Sequence, residues 1–256
     1  MRQYPGIRPP ECPPNRANEP TNNRDMAHAP FLHRGLAHIN IRRHHIPRDK
    51  PSDGRRDRPP AQAQPELQRD GQRAARYNTF VRIDMEGSPY TQRTLDLYYR
   101  LHQNHHNVGV VIQAYLYRSE ADIQQLVGCR ASVRLCKGAY AEPASVAYPK
   151  RRQVDEAYRR LMRNLLLHGH RPAIATHDES IIRDAIAFTR ENDIPPQRFE
   201  FEMLYGIRRD LQEQLVAQGY QMRVYVPYGE AWYPYFTRRL AERPANLFFF
   251  LRHVLR

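Results

Sequence analysis

The sequence predicts an α/β fold in which parallel strands are backed by helices, the arrangement of a (β/α) barrel. Two observations carry this. Short β-rich runs alternate with stretches of helical spacing, and the runs end in polar or ionisable residues. A third sets the scale: 256 residues give room for one sizeable core and not for three domains.

The β-rich runs are residues 80–85, 108–116, 132–139, 172–177, 198–204 and 222–228. Leu95, Leu97 and Leu101 mark the first helical segment between them. Val154, Tyr158, Leu161, Leu165 and Leu166 mark a long one, and Ile181, Ile182, Ala185, Ile186 and Phe188 another. Ser119 before Glu120-Ala121-Asp122 and Asp178 before Glu179 read as helix starts. Gly169 reads as a helix stop.

Residues 1–77 read as a separate division. More than half of the 21 prolines fall in residues 1–65, and no period of 2 or 3.6 is sustained there. Low hydrophobicity predicts an irregular, disordered segment, with the weak apolar patch at 31–41 its sole candidate for local structure. The barrel is assigned to 78–256.

Charge and cysteine usage narrow the partners. The net charge is +13, and the N-terminal third supplies over half of it. Only Lys50, Lys137 and Lys150 are lysines, so the cations are almost all arginine. That bias fits high-GC coding better than a phosphate-binding stripe, and no nucleic-acid partner is expected. Three cysteines without paired spacing argue for a reducing, cytoplasmic setting. No run of 18 apolar residues is present to span a membrane. The apolar end Leu247-Phe248-Phe249-Phe250-Leu251 reads as a helix packed on the barrel, with peripheral membrane contact the other reading. His102, His105 and His106 have metal-like spacing without an acidic or cysteine partner nearby, so they read as an exposed helix end and no metal site.

The carboxyl ends of the strands carry Asp84, Gln113, Arg134 with Lys137, Thr176 with His177, Glu202 and Tyr225. In a parallel barrel the active site is built on that rim from several strand ends. Polar residues at all six ends are hard to explain as packing.

The order and content of seven motifs resemble the proline dehydrogenase family, in its bacterial monofunctional form. They are Val81-Arg82-Ile83-Asp84-Met85-Glu86, Ile112-Gln113-Ala114-Tyr115-Leu116, Arg134-Leu135-Cys136-Lys137-Gly138-Ala139-Tyr140, Ala175-Thr176-His177-Asp178, Phe199-Glu200-Phe201-Glu202-Met203-Leu204-Tyr205-Gly206, Arg223-Val224-Tyr225-Val226-Pro227-Tyr228-Gly229 and Tyr235-Phe236-Thr237-Arg238-Arg239-Leu240. The resemblance runs from about Phe80 to Arg256. It implies a distorted TIM-like barrel of eight strands, about six of them readable here. It also implies FAD-dependent oxidation of L-proline to 1-pyrroline-5-carboxylate, the first step of proline catabolism. Hydride passes to flavin N5 and electrons then to a quinone, at the inner face of a membrane.

Site roles follow from the same resemblance. Arg134 is similar to the family residue near flavin N5, and with Lys137 it supplies fixed positive charge for the reduced ring. Gln113 offers a donor and an acceptor to the pyrimidine edge. Gly138, Ala139, Thr176 and His177 fall on the cofactor side; the other reading of His177 is a residue at a capped helix start. Arg238 and Arg239 suit the proline carboxylate through the guanidinium fork, although neighbours on a helix point about 100° apart. Tyr140, Leu204 and Tyr225 are similar to the walls around the proline ring, and Asp84 to an acidic pocket residue that organises the cations.

Two departures stand out. The family has further strands before Asp84, including a strand lysine, and residues 1–77 show neither. Where the resemblance implies a neutral glutamine, this chain has Glu202. Two readings therefore stay open: a proline dehydrogenase with an altered or frame-shifted N-terminus, or an inactive remnant acting at most as a basic binding module.

Overall fold

The computed structural model describes residues 64–77 and 79–226. Helix α1 (Gln64–Arg76) leads into β1 (Val81–Ile83), α2 (Thr91–His102), β2 (Val108–Gln113) and α3 (Ser119–Gly128). Then come β3 (Ser132–Cys136), α4 (Arg151–His168), β4 (Ala173–Ala175), α5 (Glu179–Glu191), β5 (Glu200–Leu204), α6 (Arg209–Ala217) and β6 (Met222–Tyr225). The strands form one parallel sheet in sequential order, β1 to β6, with a helix in every crossover. This is the curled, open part of a (β/α) barrel, as expected from the alternation.

Each strand lies within its expected run and is shorter, because the rim residues leave the ladder to form the site loops. Val110, Ile112, Val133, Leu135, Ile174, Phe201 and Met203 belong to one core with residues of the helices. Leu95 of α2, Leu161 and Leu165 of α4, and Ile181 and Ile182 of α5 are almost wholly buried there. Burial of each such side chain stabilises by about 1.5–3 kcal/mol before ordering costs. Tyr158 sits among them and donates from its hydroxyl to the Leu135 carbonyl at 3.0 Å, which satisfies its polar end. Gly109 allows β1, β2 and β3 to close up: a Cβ there would meet the Phe80 ring and the Ser132 carbonyl at 2.5 Å.

Two local expectations need revision. Helix α1 falls inside the segment expected to lack regular structure. Its Gly71 carbonyl accepts from Asn107 Nδ2 at 3.1 Å, and Ala74 is buried in the core. Ser119 opens α3, yet its hydroxyl does not cap the helix; it donates back to the Gln113 carbonyl at 2.6 Å and fixes the β2–α3 turn. Asp178 does cap α5, accepting from the Ser180 N–H at 3.1 Å. Gly169 follows the last residue of α4 as read. The patch at 31–41, Tyr228 and the apolar run Leu247 to Leu251 lie outside the described residues.

Candidate active site

Paired residues on neighbouring strands face the same side of a sheet. Register therefore brings Arg134 (β3) beside Ala173 (β4) and Ala173 beside Glu200 (β5). One step toward the rim, Ala175, Glu202 and Arg223 share a row. The small alanines of β4 leave space into which long charged side chains from both flanks extend.

Arg134 is the centre of what results. Its guanidinium donates to Glu202 Oε1 at 2.9 Å and to Asp84 Oδ1 by a short contact, and lies 5.4 Å from the Tyr225 ring centroid. Burial lowers the guanidinium's pKa, but the Asp84 and Glu202 carboxylates more than reverse this, so it stays firmly charged. Deeper in the barrel, Arg82 lies 3.5 Å from Glu200 and 3.7 Å from Glu202, and Arg223 forks onto Glu200, its Nε at 2.7 Å. Burial pushes the Glu200 carboxyl up to about 7; Arg82 opposes the shift and Glu202 adds to it. Arg82, Glu200 and Arg223 were not singled out from the sequence. Their even spacing from Asp84, Glu202 and Tyr225 was the available signal, since residues two apart on a strand face the same side.

The rim expectations are met unevenly. Gln113 is buried at the end of β2, and its Oε1 has no hydrogen-bond partner among the described residues. Lys137 does not join Arg134. It pairs with Asp155 of α4 at 2.5 Å and with the α5 cap Asp178 at 2.8 Å. It leaves the strand one residue past Cys136, on the alternate face, and so meets the helices rather than the barrel interior. Thr176 accepts the Asp178 N–H at 3.0 Å. His177 is not part of the α5 cap: its Nε2 accepts the Leu204 N–H at 3.0 Å, which ties the ends of β4 and β5 and leaves the proton of a neutral ring on Nδ1. Gly138 has φ +110°, and a Cβ there would strike the Tyr115 ring at 2.4 Å. Ala139 is exposed beside it.

Two loops close over this end. Tyr140 donates to Glu86 by a short contact. Glu142 accepts from the Ser88 N–H at 2.6 Å and the Ser88 hydroxyl at 2.5 Å. The loop after β3 is thus clamped to the loop after β1. These partners are over fifty residues apart, so no local pattern announces them. Leu204 and Tyr225 end adjacent strands in register. Arg238 and Arg239 lie outside the described residues. His102, the first histidine of the α2 cluster, is half-buried, stacks on Tyr98 and contacts the Cys129 carbonyl at 3.0 Å.

The proline dehydrogenase family profile matches residues 21–252. The chain belongs to that family. The match begins well before Phe80, inside the segment whose sequence reads as irregular. Over 178 residues the chain is 48% identical to proline dehydrogenase 2 of Bacillus subtilis strain 168, covering 70% of this chain and 59% of that one. Over 186 residues it is 47% identical to the proline dehydrogenase of Deinococcus radiodurans, covering 72% and 60%. The matched segments thus span about 60% of the length of these curated relatives. Among solved structures, proline utilization A of Bdellovibrio bacteriovorus, inactivated by N-propargylglycine, superposes with TM-score 0.66 and 28% identity, covering 71% of this chain and 22% of that one. The six strands correspond to the proline dehydrogenase barrel of such proteins.

Proposed function

We propose that this chain carries out FAD-dependent oxidation of L-proline to 1-pyrroline-5-carboxylate. The observation that carries this reading is the charged Arg134, held on the strand rim by Asp84 and Glu202 beside Tyr225, in a chain of the proline dehydrogenase family.

The residues present fit a flavin. Gln113 keeps a buried acceptor without a partner among the described residues, which suits a ring N–H. Gly138 keeps backbone approach open at the end of β3. Gln113, Arg134, Gly138, Ala139, Thr176 and His177 would hold the cofactor. Lys137 would act from the outside, by fixing Asp178 and the start of α5. When bound, the flavin supplies a hydride acceptor.

The protein's own part is orientation and charge. Arg134 presents a fixed positive charge where negative charge develops, in a site largely closed to water. Tyr140, Leu204 and Tyr225 present apolar surface for the proline ring. Asp84 holds Arg134 in place and would orient the substrate's ammonium and the cations around it. Arg238 and Arg239 are proposed to take the carboxylate bidentately. A quinone is the proposed onward acceptor, with the protein cytoplasmic and peripheral to the inner face of the membrane.

The test is to purify the full chain and record its visible spectrum. A flavin band that bleaches on addition of proline, with formation of 1-pyrroline-5-carboxylate, is expected. A colourless protein that takes up no FAD overturns the reading.

A further inference from the structure

Arg134 shares its charge between two carboxylates. Glu202 is 4 % exposed, and its Oε1 accepts from Arg134 at 2.9 Å. Its Oε2 is buried without a hydrogen-bond partner among the described residues. Arg82 Nη1 lies 3.7 Å from that oxygen, itself buried and without a hydrogen bond among the described residues. A buried acceptor left unsatisfied costs about 1–3 kcal/mol, more when charged. The inner face thus carries a carboxylate beyond what the geometry of Arg134 requires, since Asp84 already anchors the other guanidinium nitrogen. Across the face, Arg82, Arg134 and Arg223 are matched by Asp84, Glu200 and Glu202. The excess positive charge that Arg134 would otherwise present at the rim is cancelled from below.

We infer that Glu202 is a charge-setting positioning residue: by pairing with Arg134 it lowers the reduction potential of the flavin held above it. This rests on the flavin reading given for the rim. Reduction adds negative charge to the ring. A carboxylate behind the stabilising cation weakens that stabilisation, while its removal strengthens it. Glutamine at 202 keeps the shape and an acceptor oxygen for Arg134 Nη1, and removes only the charge.

The experiment compares the full chain loaded with FAD as wild type, Glu202→Gln and Glu202→Asp. The two-electron midpoint potential is read by equilibration with a reference dye. Affinity for sulfite, an anion that adds at flavin N5, is read by bleaching. Glu202→Gln is expected to shift the reduction equilibrium about tenfold toward the reduced form, about 30 mV upward, and to tighten sulfite binding in the same direction. Glu202→Asp, which keeps the charge, is expected to match wild type in both. Arg82→Gln approaches the same charge from the other side and is expected to lower the potential, which keeps the idea exposed should Glu202→Gln not fold. Equal potentials for wild type and Glu202→Gln overturn the inference, as does a Glu202→Asp shift as large as that of the glutamine. A wild-type chain that binds no flavin overturns the cofactor reading as well, so the two failures are told apart by the colour of the wild-type protein.

Discussion

The two faces of the same strands follow opposite rules. In β3, Val133 and Leu135 point to the helices and are fully buried in hydrocarbon, while Arg134 between them points inward to two carboxylates. In β5, Phe201 and Met203 pack outward, and Glu200 and Glu202 lie inward among arginines. The outward face gains from burial that is non-directional and tolerant of small shifts. The inward face depends on each charge keeping its partner, because an unpaired buried ion costs several kcal/mol. A two-residue period therefore separates what holds the fold from what is proposed to conduct the chemistry, within single strands of five residues.

If that division is right, substitutions on the two faces should fail differently. Arg134→Met should have the largest effect. It takes the hydrogen-bonded cation from the buried Glu202 and one cation from the half-buried Asp84, costing about 3–5 kcal/mol of stability, and it removes the proposed flavin cation. Urea unfolding and flavin retention should collapse together; a variant as stable as wild type would show that the carboxylates are not held as a charged pair on Arg134. Phe201→Ala, one position before Glu202 on the outer face, should cost about 3–4 kcal/mol through the cavity it leaves. Its folded fraction should keep flavin at the wild-type affinity. Weakened flavin binding at full folding would mean that the faces are coupled and that the division fails.

How much of this was legible in sequence follows the same line. The outer face is repetitive and local, so the strands of residues 108–116 and 132–139 and the Leu161-to-Leu166 stripe of α4 were readable from periodicity alone. The rim polarity was readable too, since Asp84 and Gln113 each end an apolar run, while Arg134 and Glu202 each interrupt one. What polarity does not encode is partner choice. Lys137 follows Arg134 by three residues and looks like its companion, yet its partners Asp155 and Asp178 come from helices that begin after it. Glu142 and Ser88 are 54 residues apart and belong to loops without pattern. Helix α1 is not legible in the same way because its sequence, QPELQRDGQRAAR, carries a glycine and few large apolar residues. Its Gly71 packs against the His105 ring and its Gly71 carbonyl takes the Asn107 side chain, so tertiary contact rather than propensity holds it.

The rim loop offers a smaller break. Gly138→Ala forces a side chain onto a backbone with φ +110° and against the Tyr115 ring. Backbone strain and the clash together should cost about 1–3 kcal/mol. The loop carrying Tyr140 and Glu142 should move, so flavin affinity should fall more than global stability. Thermal melting and FAD titration measured on the same sample separate the two, and an unchanged FAD affinity would remove Gly138 from the site.

The smallest effect sharpens the comparison at its border, where the barrel's rim meets the helices. Burial pushes the Asp178 carboxyl up, but Lys137 and the Ser180 N–H outweigh this and bring it down to about 2. Its folded pKa lies below its unfolded one, so its contribution is complete above about pH 4 and is lost as pH falls through about 2. Asp178→Asn keeps a good cap acceptor for Ser180 while discarding the charge. At pH 7 it should cost only about 0.5–1 kcal/mol, as a partly exposed pair does. Between pH 5 and 2 the variant should lose less stability than wild type, with the two denaturation curves converging toward the acid end. Parallel curves across that range would show that the Asp178 charge adds nothing through Lys137, which Asp155 would then hold alone.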